Sequence, residues 1–305
     1  MSSVEVSKER TLIGHKDCIY TVTESPYEEK FISAAGDGMV VLWEICGSEN
    51  GQLIAKVPNS VYCICPINEL KQLVVGQNYE GIHIIDILQK TEIASLKLTK
   101  AAIFDIHYSD GRLYVGTADG VLTVIDYNTL TIVTRIKKSN KSIRSITSNR
   151  NHLAVGYSDN FIRIFNITNM EMIHELDGHT NSVFALKYTS EGDLLLSGSR
   201  DAHLKIWDKT NYYHLKESVI AHMYTINSID IRSDQHYIAT CSMDKTIKIW
   251  DGGQFKLLKV IDKARHGGHL TSVNKIFWSN YKNRLISCSD DRTISIWDLK
   301  FNEKP

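Results

Sequence analysis

The sequence predicts an all-β fold, a seven-bladed β-propeller whose blades are four-stranded antiparallel sheets. Three observations lead to this prediction. A unit of about forty residues recurs seven times in the 305-residue chain, each copy contains short strand-like runs, and a strand missing from the last copy stands at the N-terminus. Radial repetition of four-stranded units is typical of a propeller.

Four tryptophans set the register of the repeat. A histidine stands 28 residues before each of them, a serine or threonine ten before, and an aspartate six before. The four sets are His15, Ser33, Asp37 and Trp43; His179, Ser197, Asp201 and Trp207; His222, Thr240, Asp244 and Trp250; and His269, Ser287, Asp291 and Trp297. Such regular offsets identify a true internal repeat.

Three degenerate copies fill the middle of the chain. Ile85, Ile125 and Phe165 stand where the other copies have tryptophan, so successive copies end 42, 40, 40, 42, 43 and 47 residues apart. The copies therefore end at 43, 85, 125, 165, 207, 250 and 297. These three copies also lack the other polar partners, with Val75, Val115 and Val155 at the serine position and Val57, Lys97 and Lys137 at the histidine position.

The fifth copy shows how one unit divides into strands. The runs "MIHEL" (172–176), "VFALKY" (183–188), "LLLSGS" (194–199) and "LKIWD" (204–208) are rich in branched, aromatic and other apolar residues. Turn residues in "TSEGD" and "SRDA" separate the last three. No 3.6-residue period persists long enough to predict a helix.

The two ends of the chain indicate how the ring closes. After Trp297 only "DLKFNEKP" remains, which is too poor in apolar residues for another strand of the blade. Before His15, "KERTLI" (8–13) occupies the place where other copies have their outer strand. We therefore expect residues 8–13 to complete the last blade of a single domain, 1–305, and to remove two exposed sheet edges.

The recurring Ser, His and Asp invite comparison with a hydrolase triad. A catalytic triad occurs once in a cleft, with an oxyanion hole, whereas this set occurs four times, always with tryptophan. We therefore interpret it as a hydrogen-bond relay in which Asp accepts from His, His contacts Ser or Thr, and that hydroxyl reaches the indole N–H. The joint loss of the tryptophan, the hydroxyl residue and the histidine in the middle copies supports this interpretation.

Gly-His pairs at 14–15, 178–179 and 268–269, and Trp-Asp pairs ending copies five to seven, resemble the WD40-repeat family. The resemblance covers essentially the whole chain. It implies hydrogen-bonded tetrads in well-formed blades and a non-enzymatic interaction platform. Copies two to four depart from the family pattern, although Asp119 and Asp159 keep the turn position.

The resemblance also implies a partner-binding top face, the face that carries the turn between the second and third strands of each blade. Family contacts there come from the position five after the histidine, aligned through the first inner strand in copies two to four, and from the residue before the turn Asp. The first set comprises Tyr20, Tyr62, Phe104, Arg144, Phe184, Asn227 and Asn274, and the second Gly36, Arg200, Met243 and Asp290.

Four aromatic residues and an arginine in that set favour binding of a protein or peptide, because such residues dominate interface hot spots. A peptide with an apolar anchor and an acidic flank would suit Tyr62, Phe104, Arg144 and Arg200. The alternative is that the aromatic residues only pack around the channel and support its loops.

A basic run, "RIKKSNKSIR" (135–144), leads into blade four. Lys137, Lys138 and Lys141 are expected in the loop on the top face, where they could contact an acidic peptide or RNA phosphates. A nucleic-acid-associated factor, acting in RNA processing or ribosome assembly, is therefore the alternative function. The run is short, lacks interleaved aromatic residues and belongs to a chain of zero formal net charge, which favours a solvated loop.

Composition excludes several other classes of function. Six cysteines form no CxxC pair, and four lie in apolar runs, which predicts buried free thiols in a reducing, cytoplasmic setting. No transmembrane-length apolar run, phosphate loop, nucleophile elbow or HExxH motif occurs. We expect a monomer without cofactor or membrane contact. His266 and His269 in "KARHGGH" lack the ligands of a metal site and predict a longer surface loop.

Overall fold

The computed structural model describes residues 3–302 and arranges their 28 strands in seven four-stranded antiparallel sheets. The innermost strand of each sheet contacts the innermost strands of both neighbouring sheets, and the contact between β26 (Val273–Trp278) and β2 (Ile19–Glu24) closes the ring. The predicted seven-bladed propeller is confirmed.

Each blade runs from an innermost to an outermost strand, in the following order. Blade one is β2 (Ile19–Glu24), β3 (Lys30–Ala35), β4 (Met39–Glu44) and β5 (Gln52–Lys56); blade two is β6 (Val61–Ile67), β7 (Gln72–Gln77), β8 (Gly81–Asp86) and β9 (Thr91–Lys97); blade three is β10 (Ile103–Ser109), β11 (Arg112–Thr117), β12 (Val121–Asp126) and β13 (Thr131–Lys137). Blade four is β14 (Ile143–Ser148), β15 (His152–Tyr157), β16 (Ile162–Asn166) and β17 (Met172–Leu176); blade five is β18 (Val183–Tyr188), β19 (Leu194–Ser199), β20 (His203–Asp208) and β21 (His214–Ile220). Blade six is β22 (Ile226–Ile231), β23 (Tyr237–Ser242), β24 (Ile247–Asp251) and β25 (Leu257–Ile261); blade seven is β26 (Val273–Trp278), β27 (Leu285–Ser289), β28 (Thr293–Asn302) and β1 (Ser3–Ile13).

Short helical segments interrupt the connections. Three are 3-10 turns, at Asn68–Leu70, Lys209–Asn211 and Tyr281–Asn283. The fourth is one α-helical turn, α1 (Lys263–His266), which lies in the loop that the sequence predicted to be longer than the others. The side chain of Asp262 accepts a hydrogen bond from the backbone N–H of Arg265 (2.8 Å) and so caps that turn.

The N-terminal strand completes blade seven, as predicted. β1 pairs antiparallel with β28 from Ser3 opposite Asn302 to Ile13 opposite Thr293. Both strands are longer than expected, since β1 begins at Ser3 rather than at residue 8. The extended end of β28 packs against blade six. The Phe301 ring stacks on Tyr237 with centroids 3.7 Å apart, and the guanidinium of Arg232 lies 4.6 Å from the Phe301 ring centroid.

The hydrophobic core is divided into seven clusters, one at each interface between neighbouring blades. Every tryptophan, and every apolar residue that replaces it, is buried at the interface with the preceding blade. Ile85, Ile125 and Phe165 thus keep the packing role of tryptophan while removing its polar N–H. This explains why the middle blades fold without the tetrad.

Side chains of the inner strands also join neighbouring blades. The carboxylate of Asp105 accepts from the backbone N–H of Ile146 (2.7 Å), and the carboxylate of Asp230 accepts from that of Trp278 (2.6 Å). All six cysteines are free, and Cys63, Cys65, Cys241 and Cys288 are buried as predicted. Within residues 3–302, no helix is long and apolar enough to cross a membrane.

Candidate functional site

The four polar sets of the sequence lie directly beneath the top face as continuous hydrogen-bond chains. In blade five the ring Nδ1 of His179 donates to Asp201 Oδ2 (2.9 Å), the hydroxyl of Ser197 donates to His179 Nε2 (2.7 Å), and the indole N–H of Trp207 donates to Ser197 Oγ (2.8 Å). The carboxylate accepts only, which fixes Nδ1 as the donor. Asp201 also accepts the backbone N–H groups of Thr180 and His203, both at 2.9 Å.

The other three sets have the same geometry. Their hydroxyl oxygens lie 2.7, 2.8 and 2.9 Å from the histidine Nε2 and 2.7, 2.9 and 2.9 Å from the indole nitrogen. In order, these are His15, Ser33 and Trp43; His222, Thr240 and Trp250; and His269, Ser287 and Trp297. Asp37, Asp244 and Asp291 accept from the respective histidine Nδ1.

Burial and hydrogen bonding set the protonation of the relay in blade five. Burial lowers the pKa of His179, against the effect of Asp201, so the imidazole is neutral. Burial disfavours ionisation of Asp201, but hydrogen bonds from His179, Thr180 and His203 outweigh it and hold the pKa of that carboxyl below its usual range. Ser197 is 0% exposed, so a substrate cannot reach its hydroxyl. The relay is therefore a structural element and not a nucleophilic site.

The degenerate blades replace the tetrad with other polar contacts that the repeat did not indicate. In blade four, Arg163 forms ion pairs with Asp159 (2.9 Å) and Glu175 (2.7 Å). In blade two, His83 Nε2 donates to Gln77 Oε1 (2.9 Å), and His83 Nδ1 lies 3.1 Å from Glu92. These contacts could have been suspected from the residue two positions before the tryptophan position, which is histidine in copy two and arginine in copy four.

An unbroken line of side chains crosses the top face from blade one to blade five. The Tyr20 and Tyr62 rings meet edge to face at 4.7 Å, and Tyr62 stacks on Phe104 at 5.6 Å. The guanidinium of Arg144 then lies 4.0 Å from the Phe104 centroid and 4.9 Å from that of Phe184. We call these five half-buried residues the aromatic row.

Arg144 is the charged member of the aromatic row. Its Nε donates to Ser158 Oγ (3.1 Å), and it forms no ion pair with any residue in 3–302. Burial lowers the pKa of Arg144, Tyr62 opposes this shift, and the charge of Arg200 adds to it. A partly desolvated guanidinium that contacts two aromatic rings and has no ion-pair partner among residues 3–302 can bind a carboxylate or phosphate from outside.

Two predicted contact residues are engaged within the ring. The side-chain amide of Asn227 donates to the carbonyl of Val273 in blade seven (2.8 Å). That of Asn274 donates to the carbonyl of Ile19 in blade one (2.9 Å) and to Asp290 (2.7 Å). Both amides therefore join neighbouring blades. Blades six and seven carry these asparagines at the position where blades one to five have aromatic residues or arginine.

The residues before the turn Asp occupy equivalent places at the rim. Their backbone N–H groups donate to the carbonyl of the residue three after the tetrad histidine. These residues are Gly36, Arg200, Met243 and Asp290; Arg200 and Met243 are exposed, whereas Gly36 and Asp290 are half-buried. A Cβ at Gly36 would lie 2.7 Å from Asp17 Oδ2, which explains glycine there.

The basic run lies at the rim between blades three and four. Lys138 and Lys141 are in the connecting loop, but Lys137 is the last residue of β13 and not a loop residue, because it pairs with Val121. All three are exposed. Arg135 donates to the carbonyl of Leu98 (3.5 Å), which brings the loop after β9 alongside this run.

Other features of this face fall outside the sequence prediction. Ile220, Met223, Tyr224 and Leu270 are large apolar residues exposed around blade six. The sequence pattern that could have predicted them is the apolar residue directly after the tetrad histidine in copies six and seven. Among the described residues, no group of three or more His, Cys, Asp or Glu side chains is arranged to hold a metal ion.

Comparison with known proteins gives one family and one fold. A family model described as "WD domain, G-beta repeat" matches residues 7–44, 170–208, 214–251 and 259–298. The chain is also similar in structure to the WD40 beta propeller domain of Doa1, with a TM-score of 0.85, 19% sequence identity and coverage of 97% of both chains.

Sequence relatives match parts of longer proteins. Human striatin-3 is 24% identical over 247 residues, covering 79% of this chain and 27% of the relative. Eukaryotic translation initiation factor 3 subunit I of Meyerozyma guilliermondii is 43% identical over 76 residues, and RACK1 of Schizosaccharomyces pombe is 36% identical over 81 residues. Those two matches cover 25% of this chain and 22% and 26% of the respective relatives, so the chain matches only about a quarter of each of the three.

Proposed function

This chain belongs to the WD40-repeat family, and we propose that it is a non-enzymatic adaptor that holds peptide segments or partner proteins on its top face. The aromatic row is the observation that carries this proposal. Half-buried aromatic rings and a guanidinium without an ion-pair partner among residues 3–302 offer a binding surface rather than a completed internal network. A cytoplasmic location and a monomeric state are part of the proposal, and the free cysteines support the former.

The order of residues along the row defines the peptide that fits it best. Tyr62 and Phe104 offer ring surface for an apolar or aromatic anchor, while Arg144 and the exposed Arg200 offer donors to an acidic group. Burial raises the pKa of Tyr20 to about 12, so its hydroxyl stays protonated and can donate a hydrogen bond. The partner segment therefore has an apolar anchor with an acidic flank directed towards blades four and five.

Affinity capture tests the proposal with a matched pair of variants. Intact protein and a Tyr62→Ala, Phe104→Ala double variant are compared with Leu88→Ala, which alters an exposed residue on the opposite face. We expect the intact protein and the Leu88→Ala variant to capture the same partners. The double variant should lose those partners while its melting curve stays unchanged. Capture of identical partners by all three proteins would contradict it.

A nucleic-acid-associated factor remains the second candidate, favoured by the exposure of Lys137, Lys138 and Lys141 at one rim. Phosphate binding by these residues releases counterions and is therefore strongly weakened by salt. Retention on an RNA column that falls steeply with salt, and disappears when the three lysines become alanine, would favour this candidate. The adaptor proposal predicts weak retention that the three substitutions leave unchanged.

A further inference from the structure

A second surface on the top face lies outside the aromatic row and centres on blade six. It consists of Ile220, Met223, Tyr224, Met243 and Leu270, which are between 56% and 79% exposed. We call it the blade-six patch. Single exposed apolar residues are ordinary, but a cluster of this kind on one face indicates an interaction site.

Backbone contacts bring the Met223 and Met243 segments of the patch together. The N–H of Met243 donates to the carbonyl of Thr225 (3.0 Å), and the N–H of Met223 donates to the carboxylate of Asp244 (3.1 Å). The turn after β23 therefore lies against the connection from β21 to β22. On the other side of that turn, Leu270 lines a shallow depression together with Lys245.

The charged groups that reach the surface around the patch are mainly cationic. Arg200, Lys245, Lys263 and Arg292 are exposed and form no ion pair with any residue in 3–302. The nearby carboxylates are negatively charged but largely covered: the side chains of Asp201, Asp244 and Asp291 are 6%, 6% and 9% exposed, and Asp262 pairs with Arg265. The exposed rim of the patch is therefore cationic.

These contacts also restrict the secondary structure of the occupant. The N–H groups of Met223 and Met243 are engaged within the propeller. The central loops of the patch therefore offer few backbone groups to an added strand. A helix satisfies its own backbone and binds through side chains alone.

We propose that the blade-six patch binds an amphipathic helix of a partner protein, with apolar residues on one face and acidic residues on its flanks. The flexible methionine side chains can adapt to different apolar anchors. A second copy of this chain docked through the same patch would bring the cationic rims together, which is unfavourable. This site contains none of the five residues of the aromatic row and shares only Arg200 with the surface of the proposed function.

Methyl NMR of methionine-labelled protein tests the proposal, because Met223 and Met243 report directly from the patch. The probe is a synthetic helical peptide with leucine at positions i, i+3, i+4 and i+7 and glutamate elsewhere; its control carries lysine in place of glutamate. We expect the glutamate peptide to shift the Met223 and Met243 signals saturably while those of Met39 and Met172 stay in place. The lysine peptide should shift none of them.

Variants separate this inference from the proposed function. A Tyr224→Ser, Leu270→Ser protein keeps both methionine reporters and, by their shifts, should bind the glutamate peptide at least about tenfold more weakly. The Tyr62→Ala, Phe104→Ala protein should show the same Met223 and Met243 shifts as the intact protein. Equal binding of both peptides, or binding of neither, would overturn the inference. Loss of binding only in the aromatic variant would also overturn it and leave the aromatic row as the site. Dilution-dependent Met223 and Met243 signals with a dimer in sedimentation would identify a second copy as the occupant instead.

Discussion

At the scale of single residues, each tetrad is stable because every buried polar atom has a partner. His179 and Ser197 are buried among apolar side chains, so removal of one member leaves the others without compensation for lost hydration. Blades two to four lack the histidine, the hydroxyl and the tryptophan together, as expected because a partly satisfied network is less stable than an apolar one. The tetrad is therefore a unit of stability.

Replacement of Asp201 by alanine tests this unit. The change removes acceptors for His179, Thr180 and His203, and we expect it to lower the free energy of unfolding by about 1–3 kcal/mol. Asp119→Ala is the matched control, because Asp119 occupies the same turn position in blade three without a histidine partner. Chemical unfolding curves measure both, and equal effects of the two substitutions would contradict the account.

The buried histidines predict a loss of stability in acid. Burial lowers the pKa of His15, His179 and His222 in the folded protein from their ordinary value of 6.5, so the unfolded chain binds protons first as the pH falls. The free energy of unfolding is therefore highest above pH 6.5 and decreases below it, by up to about 1.4 kcal/mol for each histidine at about pH 5.5. Denaturant titrations at about pH 7.5 and about pH 5.5 measure the difference. Stability that stays constant or rises on acidification would refute the neutral buried state.

At the scale of elements, β1 is the strand on which closure of the ring depends. It covers the edge of β28 along its whole length. Leu12 is buried at the interface of blade seven with blade one, and Trp297 is buried at its interface with blade six. A ring without β1 exposes this edge and part of two apolar clusters.

Deletion of residues 1–12 is expected to lower the melting temperature by roughly 10 °C or more, since several buried apolar side chains lose their contacts. Differential scanning calorimetry measures the change. Addition of a synthetic peptide of residues 1–12 should restore part of the lost stability by re-forming the strand. An unchanged melting temperature after the deletion would show that closure does not depend on β1.

The repeat in the sequence was sufficient to predict the seven blades, the tetrads and the closing strand, because all three depend on local patterns at fixed offsets. It could not predict the extension of β1 and β28, since Phe301 is supported by Tyr237 and Arg232, which are distant in the chain. It also missed the Arg163 network of blade four and most of the blade-six patch. Exposure of Met223 depends on the position of its loop at the rim, which periodicity does not describe.

At the scale of the whole molecule, the closed ring gives a top face whose chemistry changes from blade to blade. The aromatic row covers blades one to five, asparagine side chains join blades six and seven to their neighbours, and apolar residues with a cationic rim surround blade six. The tetrads beneath this face connect its loops to the blades through hydrogen bonds. The central claim is therefore that partners contact the aromatic row.

Site-specific photocrosslinking tests that claim most directly, because it locates the partner without removing any contact elsewhere. A photoreactive phenylalanine is placed at Tyr62 in one protein and at Leu88, on the opposite face, in another. The account predicts that the partner captured by the intact protein crosslinks from position 62 and not from position 88. Crosslinking from position 88 alone would contradict it and place the partner on the other face of the ring.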